Sequence, residues 1–122
     1  MIVSDKYCLA LFRLAVAERA GWKCEICGHS GDDCQAHHIY SRDNKSVRYD
    51  PDNGLWVCNV HHRWAEEMGV RFVVEFLCNT RTRTDRWREK LATKKNTTVK
   101  CNGLYRLEWT DRLLNEIKGK AA

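Results

Sequence analysis

The stretch from residue 35 to residue 62 reads QAHHIYSRDNKSVRYDPDNGLWVCNVHH. Its first six residues, Gln35 to Tyr40, predict a strand, and Leu55-Trp56-Val57 predicts a second, short and apolar. Between them lie a polar loop, Ser41 to Ser46, the run Val47-Arg48-Tyr49, and the strong turn signal Asp50-Pro51-Asp52-Asn53-Gly54. The whole of Gln35 to Val57 therefore predicts a long-looped hairpin. From Asn59 to Met68 the pattern becomes helical, and Gly69 stops it. The fold expected is α+β, with a hairpin followed at once by a helix.

Working outward, the hairpin is bracketed by two ligand pairs. Cys24-Glu25-Ile26-Cys27 precedes it and Cys58-Asn59-Val60-His61 closes it. A two-residue spacer lets both side chains of a turn reach one tetrahedral centre, and two such turns supply four N/S ligands. A redox Cys-x-x-Cys would give the second pair no reason to exist. Cys24, Cys27, Cys58 and His61 are thus the expected ligands of a structural zinc ion, with Cys34 the main competitor and His29 a weaker one. Zinc is a useful staple for a chain of this size, whose core is small.

The flanks read as helices. Asp5 to Ala20 carries Ala and Leu behind a capping Ser4, with Gly21 after the last turn. Beyond Gly69, helices are expected at about 70–78, 83–93 and 104–118, the first rich enough in Val and Phe to be a strand instead. Leu104, Leu107, Leu113, Leu114 and Ile117 would face inward, and Trp64, Trp87 and Trp109 would pack between the elements.

The chain has 122 residues with seven Cys, and its 21 Lys+Arg against 16 Asp+Glu give a net charge of +5. An odd Cys count cannot pair fully within one chain. The longest early apolar run, Leu9 to Phe12, is interrupted by Arg13, which excludes a signal h-region or a membrane span. A reducing, cytoplasmic setting is expected. Most of the positive charge sits between Asn79 and Lys100, where Arg81-Thr82-Arg83-Thr84 alternates guanidinium and hydroxyl groups suited to phosphate oxygens. A polyanionic partner, nucleic acid above all, fits this pattern, although a solvated helix face would produce it too.

The histidines complete the reading. His37-His38 lies on the first strand and His61-His62 opens the helix after the second. Neighbouring helical side chains diverge by about 100°, so one of His61 and His62 can face the zinc while the other turns toward the hairpin. On a regular strand His37 and His38 would point to opposite faces.

His37-His38-Ile39, then Asn53, then Cys58-x-x-His61-His62 resembles the HNH signature of the ββα-metal nucleases. His38-Ile39-Tyr40-Ser41-Arg42 and Val47 to Asn53 are especially similar to phage HNH nucleases associated with recombination. The likeness covers about Trp22 to Trp64. This chain departs from it by carrying His37 where many members have Asp, and His61 where they have a fourth Cys. The resemblance implies one HNH nuclease domain over residues 1–122: an N-terminal helix (1–21), a zinc knuckle and ββα-metal core (22–68) and a helical basic extension (69–122). It implies His38 as the general base, and His37 and His62 as ligands of a catalytic divalent ion, Mg²⁺ or Mn²⁺. It also implies Asn53 as the residue that locks the turn and orients His38, and a distorted strand end that lets His37 and His38 share one site. Arg42, Arg48, Arg81 and Arg83 are the expected contacts to DNA. The activity implied is hydrolysis of DNA by a monomer, one strand at a time, leaving 5′-phosphate and 3′-hydroxyl ends. A zinc-stapled nucleic-acid-binding module without catalysis is the alternative, and a thiol-redox protein using Cys24 and Cys27 is a third class.

Overall fold

Helix α1, Asp5–Arg19, begins where the Ser4 hydroxyl accepts the Tyr7 N–H at 3.1 Å, and Asp5 adds a negative charge to its first turn. Its apolar positions 8, 11, 12, 15 and 16 form one buried stripe. The computed structural model describes the backbone of residues 3–121 and the side chains of residues 3–119. After α1 the backbone enters the left-handed region at Gly21 and Trp22, which turns the chain back toward the ribbon.

Strands β1 (Gln35–His38) and β2 (Gly54–Val57) pair antiparallel, with His37 opposite Leu55 and His38 opposite Gly54. Strand β1 is two residues shorter than the sequence suggests, and β2 begins one residue earlier, at Gly54. Ile39 and Tyr40 leave the strand because Asn53 captures them: Ile39 N–H donates to the Asn53 carbonyl at 2.9 Å and Tyr40 N–H to Asn53 Oδ1 at 2.8 Å. Residues 47–49 are turn, and a single 3₁₀ turn, Pro51–Asn53, leads directly into β2. Four helices follow: α2, Asn59–Met68; α3, Val70–Asn79; α4, Asp85–Lys95; and α5, Gly103–Ala121. The Val- and Phe-rich segment is helical because its apolar residues Val73, Val74 and Leu77 follow the helical period and are buried. Helix α4 starts at Asp85 because Thr84 caps it, accepting the Trp87 N–H at 3.1 Å.

A two-stranded ribbon is marginal by itself, and here α1 lies across one face and α2 across the other. Phe12, Tyr49, Leu55, Trp56, Leu77, Leu91 and Leu113 are the large buried side chains of one core. Trp87 and Trp109 are buried as expected and Trp64 partly so. Leu104 departs from expectation: it sits on the first turn of α5 and is 65% exposed. No helix among the described residues is long and apolar enough to cross a membrane.

The start of β2 is packed so tightly that its glycine is required by space. Gly54 has an ordinary extended backbone, but a Cβ there would overlap Val16 Cγ2 and approach Phe12 Cζ to 3.0 Å. Gly54→Ala should therefore force α1 off the ribbon and destabilise the fold by about 2 kcal/mol, the scale of an overpacked core. Thermal unfolding would check this, and an unchanged midpoint would show that α1 is not fixed against β2.

Candidate functional site

Two donor clusters meet at the start of α2. The first gathers Cys24, Cys27, Cys58 and His61, whose ligand atoms all lie within 4.8 Å of one another. Cys24 Sγ is 3.8 Å from His61 Nδ1, Cys27 Sγ is 3.8 Å from Cys58 Sγ, and Cys58 Sγ is 3.3 Å from His61 Nδ1. A tetrahedron with metal–sulfur bonds near 2.3 Å and metal–nitrogen bonds near 2.1 Å has edges of about 3.6 to 3.8 Å, so the cluster is compatible with a structural zinc site. The turn that carries it is local chemistry: Gly28, at positive φ, donates its N–H to the Cys24 carbonyl at 2.8 Å, and Cys24 N–H donates to the His29 carbonyl at 2.8 Å. Burial alone would raise the Cys24 thiol, but backbone hydrogen bonds from Cys58, Cys27 and Ile26 draw it below the ordinary range.

The two competing ligands stand outside this cluster. Cys34 is buried and points its thiol at the His29 carbonyl, 3.5 Å away. His29 pairs instead with Asp33 at 3.0 Å, and Asp33 in turn accepts the Asn59 N–H at the start of α2.

The second cluster is His37, His62 and Glu66, again within 4.8 Å of one another. The His37 and His62 rings meet edge to face with centroids 5.3 Å apart, and Glu66 Oε1 lies 3.2 Å from His62 Nε2. Burial and the neighbouring His62 push His37 down to about 4, so it presents a neutral nitrogen at pH 7. The 100° step between successive helical residues does what the sequence suggests, sending His61 into the Cys cluster and His62 toward the hairpin. Glu66 was not identified from sequence. Its signal is the i,i+4 spacing from His62, which puts both side chains on one helix face.

His38 has other neighbours. Its ring stacks on Phe12 of α1 with centroids 4.4 Å apart, and its Nε2 lies 2.9 Å from the Arg48 carbonyl. A carbonyl only accepts, so Nε2 carries the proton and Nδ1 keeps its lone pair. Burial lowers the imidazole's pKa, and the Arg42 and Arg48 guanidiniums add to this against the opposing carbonyl bond. The imidazole is therefore neutral at pH 7. The strand does not distort to bring the two imidazoles together. The ladder runs in register through His38, so strand alternation holds, with His37 against α2 and His38 against α1. Consecutive Cα atoms are only about 3.8 Å apart, and the two rings leave neighbouring points of one ribbon end.

Asn53 is fully buried and links the parts. Its amide donates to the Tyr40 carbonyl at 2.9 Å and the Val47 carbonyl at 3.3 Å while accepting from Tyr40 N–H. This pins both ends of the loop 40–47 to the turn, so the residue is not part of an ordinary Asn-Gly hairpin turn. Arg48, which supplies the carbonyl under His38, is held by Asp5: Nε and Nη2 reach its two carboxylate oxygens at 2.7 and 2.6 Å.

Two of the four arginines expected to contact DNA are already engaged within the chain. Arg48 is only 11% exposed and bound to Asp5, and Arg83 is 11% exposed and bound to Glu25 at 2.8 Å. Both guanidiniums hold the molecule together, because each faces a buried or half-buried carboxylate within reach. Glu25 also accepts Trp56 N–H at 2.7 Å, and Arg19 donates to the carbonyls of Pro51 and Gly54 at 2.6 Å, so the knuckle, the turn and β2 share one polar seam. Lys94 belongs to the same seam through Asp50 and Asp52. Arg42 and Arg81 remain exposed. Comparison of the chain with protein-family models, curated proteins and solved structures finds no match.

Proposed function

We propose that this chain is a divalent-metal-dependent endonuclease of the ββα-metal type that hydrolyses phosphodiester bonds in DNA. The observation that carries the reading is the division of labour at the start of α2. His61 joins a closed Cys₃His set, while the adjacent His62 joins an open set with His37 and Glu66, and His38, the next residue along the strand, turns its ring to the α1 side. A closed four-ligand set suits a structural zinc ion, whereas a three-ligand set leaves positions for water or substrate.

His37, His62 and Glu66 would hold the catalytic ion, which when bound supplies Lewis-acid polarisation of a phosphate oxygen and charge neutralisation at phosphorus. Their two imidazoles and one carboxylate are a mixed N/O set, better matched to Mn²⁺ than to Mg²⁺. Glu66 also supplies the anionic ligand that His37, standing where Asp is common, does not. His38 offers Nδ1 to a water molecule as general base, with the Arg48 carbonyl fixing the ring's tautomer from behind. The water oxygen attacks phosphorus in line as its proton passes to His38 Nδ1, and the 3′-oxygen leaves and takes a proton from a solvent water, which yields 5′-phosphate and 3′-hydroxyl ends.

One base and one open cluster allow one strand to be cut per encounter. Supercoiled plasmid incubated with Mn²⁺ should pass first to the open circle, with linear product only as nicks accumulate, and EDTA should stop the reaction. The nicks should reseal with ligase. Plasmid bound but never cut, with any divalent ion, would favour the non-catalytic binding module.

A further inference from the structure

The α1 side of the ribbon carries a cleft of about 260 Å³ whose lining includes His38 and two arginines, Arg13 from α1 and Arg42 from the loop after β1. Phe12 and Ala36 supply its apolar wall. The two arginines differ from the others around the turn. Arg19, Arg48 and Arg83 have their guanidiniums on carboxylates or carbonyls of the chain itself. The guanidiniums of Arg13 and Arg42 have no such partner among the described residues, and both residues are exposed. Arg13 is nonetheless held in place: its guanidinium carbon lies 5.1 Å from the centroid of the buried Trp56 ring. The backbone at Arg42 is held too, since its carbonyl accepts from Arg48 Nη1 at 2.9 Å and Arg48 is fixed by Asp5.

We propose that Arg13 and Arg42 form a phosphate clamp that seats a DNA phosphodiester in the cleft beside His38. Two guanidinium forks without a partner in the chain, one stacked on Trp56 and one carried by a fixed backbone, fit a monoanionic, tetrahedral group, because guanidinium can bond two phosphate oxygens at once. Stacking on Trp56 leaves the Arg13 N–H groups at its edge free to donate in the ring plane. The clamp contacts backbone and not bases, so it binds without regard to sequence. It takes its choice of ligand from the endonuclease reading, but it concerns affinity and does not require cleavage.

The test measures binding of a fluorescently labelled duplex of arbitrary sequence to the zinc-loaded protein, with no Mg²⁺ or Mn²⁺ added and no chelator, across a salt series. Arg13→Ala and Arg42→Ala should each raise Kd by about tenfold and reduce the log–log salt slope by about one. Arg13→Lys should recover the slope but only part of the affinity. Arg112→Ala is the matched control, since Arg112 stacks on Trp109 at 4.9 Å on α5, outside the cleft. It should change Kd by less than about twofold, as a substitution that removes no phosphate contact should. Thermal unfolding of each variant separates lost contact from lost fold. The clamp is overturned by a Kd and slope unchanged in both cleft variants, by an equal change in Arg112→Ala, or by a wild type that does not bind the duplex. Binding that falls as expected in a protein that never nicks plasmid would uphold the clamp and sink the nuclease. Nicking with unaltered binding in the variants would do the reverse.

Discussion

Replacing His38 by glutamine should lower the rate of plasmid nicking by about 10²- to 10⁴-fold, the usual contribution of a positioned general base, with metal content and unfolding temperature nearly unchanged. Alanine is the poorer choice at this position. The ring stacks on Phe12 and donates to the Arg48 carbonyl, so His38→Ala would leave a small void and a carbonyl without its donor. That costs about 1–3 kcal/mol and would confuse a lost base with a loosened fold. A glutamine amide can still donate to the same carbonyl but cannot accept a proton from water near neutral pH. The proposed ion ligands, His37, His62 and Glu66, are untouched. Added imidazole should restore part of the activity to His38→Ala, because the vacated volume beside Phe12 admits a free ring. Nicking at near wild-type rate in His38→Gln would mean that another group activates the water, and the assignment of His38 would fall.

The parts of this molecule legible in the sequence are those set by spacing along the chain. The paired two-residue spacers named all four members of the Cys₃His cluster, and the 100° helical step correctly separated His61 from His62. The hairpin was legible from a strand pattern at Gln35 to Tyr40 and a short apolar strand at Leu55 to Val57 around a turn signal, and its helix from the pattern up to Gly69. What the sequence hid are interactions between residues far apart in the chain. Arg48 and Arg83 looked like phosphate contacts because charge alone says nothing about a partner; Asp5 and Glu25 reach them only after α1 and the knuckle have packed. Asn53 was singled out, but the shortening of β1 was not foreseen, because it depends on a side-chain amide competing for the Tyr40 backbone groups. Glu66 lay in plain view four residues after His62, yet an acidic residue on an exposed helix face becomes a ligand candidate only when a strand brings His37 opposite. Leu104 failed for a related reason: at the first turn of a helix the apolar period does not say which turns have a neighbour to pack on.

Cys58→Ser should be the most destructive single change to the fold. Cys58 is 4% exposed and stands at the junction where β2 ends and α2 begins, as the N-terminal flanking residue of that helix. It makes no capping bond through its side chain, so its thiol serves the cluster and not the helix end. With Cys24, Cys27 and His61 it ties the segment after α1 to the end of the hairpin and the start of α2, three pieces otherwise joined by a short ribbon, the polar seam, the Asp33–Asn59 bond and the Trp22–Trp56 contact. A metal that binds the folded chain alone adds stability as RT ln(1 + [Zn]/Kd), about 4 kcal/mol when free zinc exceeds Kd a thousandfold. For a domain of this length that corresponds to a fall of about 10–20 °C in the unfolding midpoint. A strong chelator should lower the wild-type midpoint by a similar amount and should leave Cys58→Ser where it already is, because the two perturbations remove the same ion. Cys34→Ser is the informative companion: a serine hydroxyl can still donate to the His29 carbonyl, and the zinc content should stay near one per chain. Cys58→Ser that kept both its zinc and its midpoint would show that the four residues do not act as one site, and zinc lost from Cys34→Ser would move the fourth ligand to Cys34.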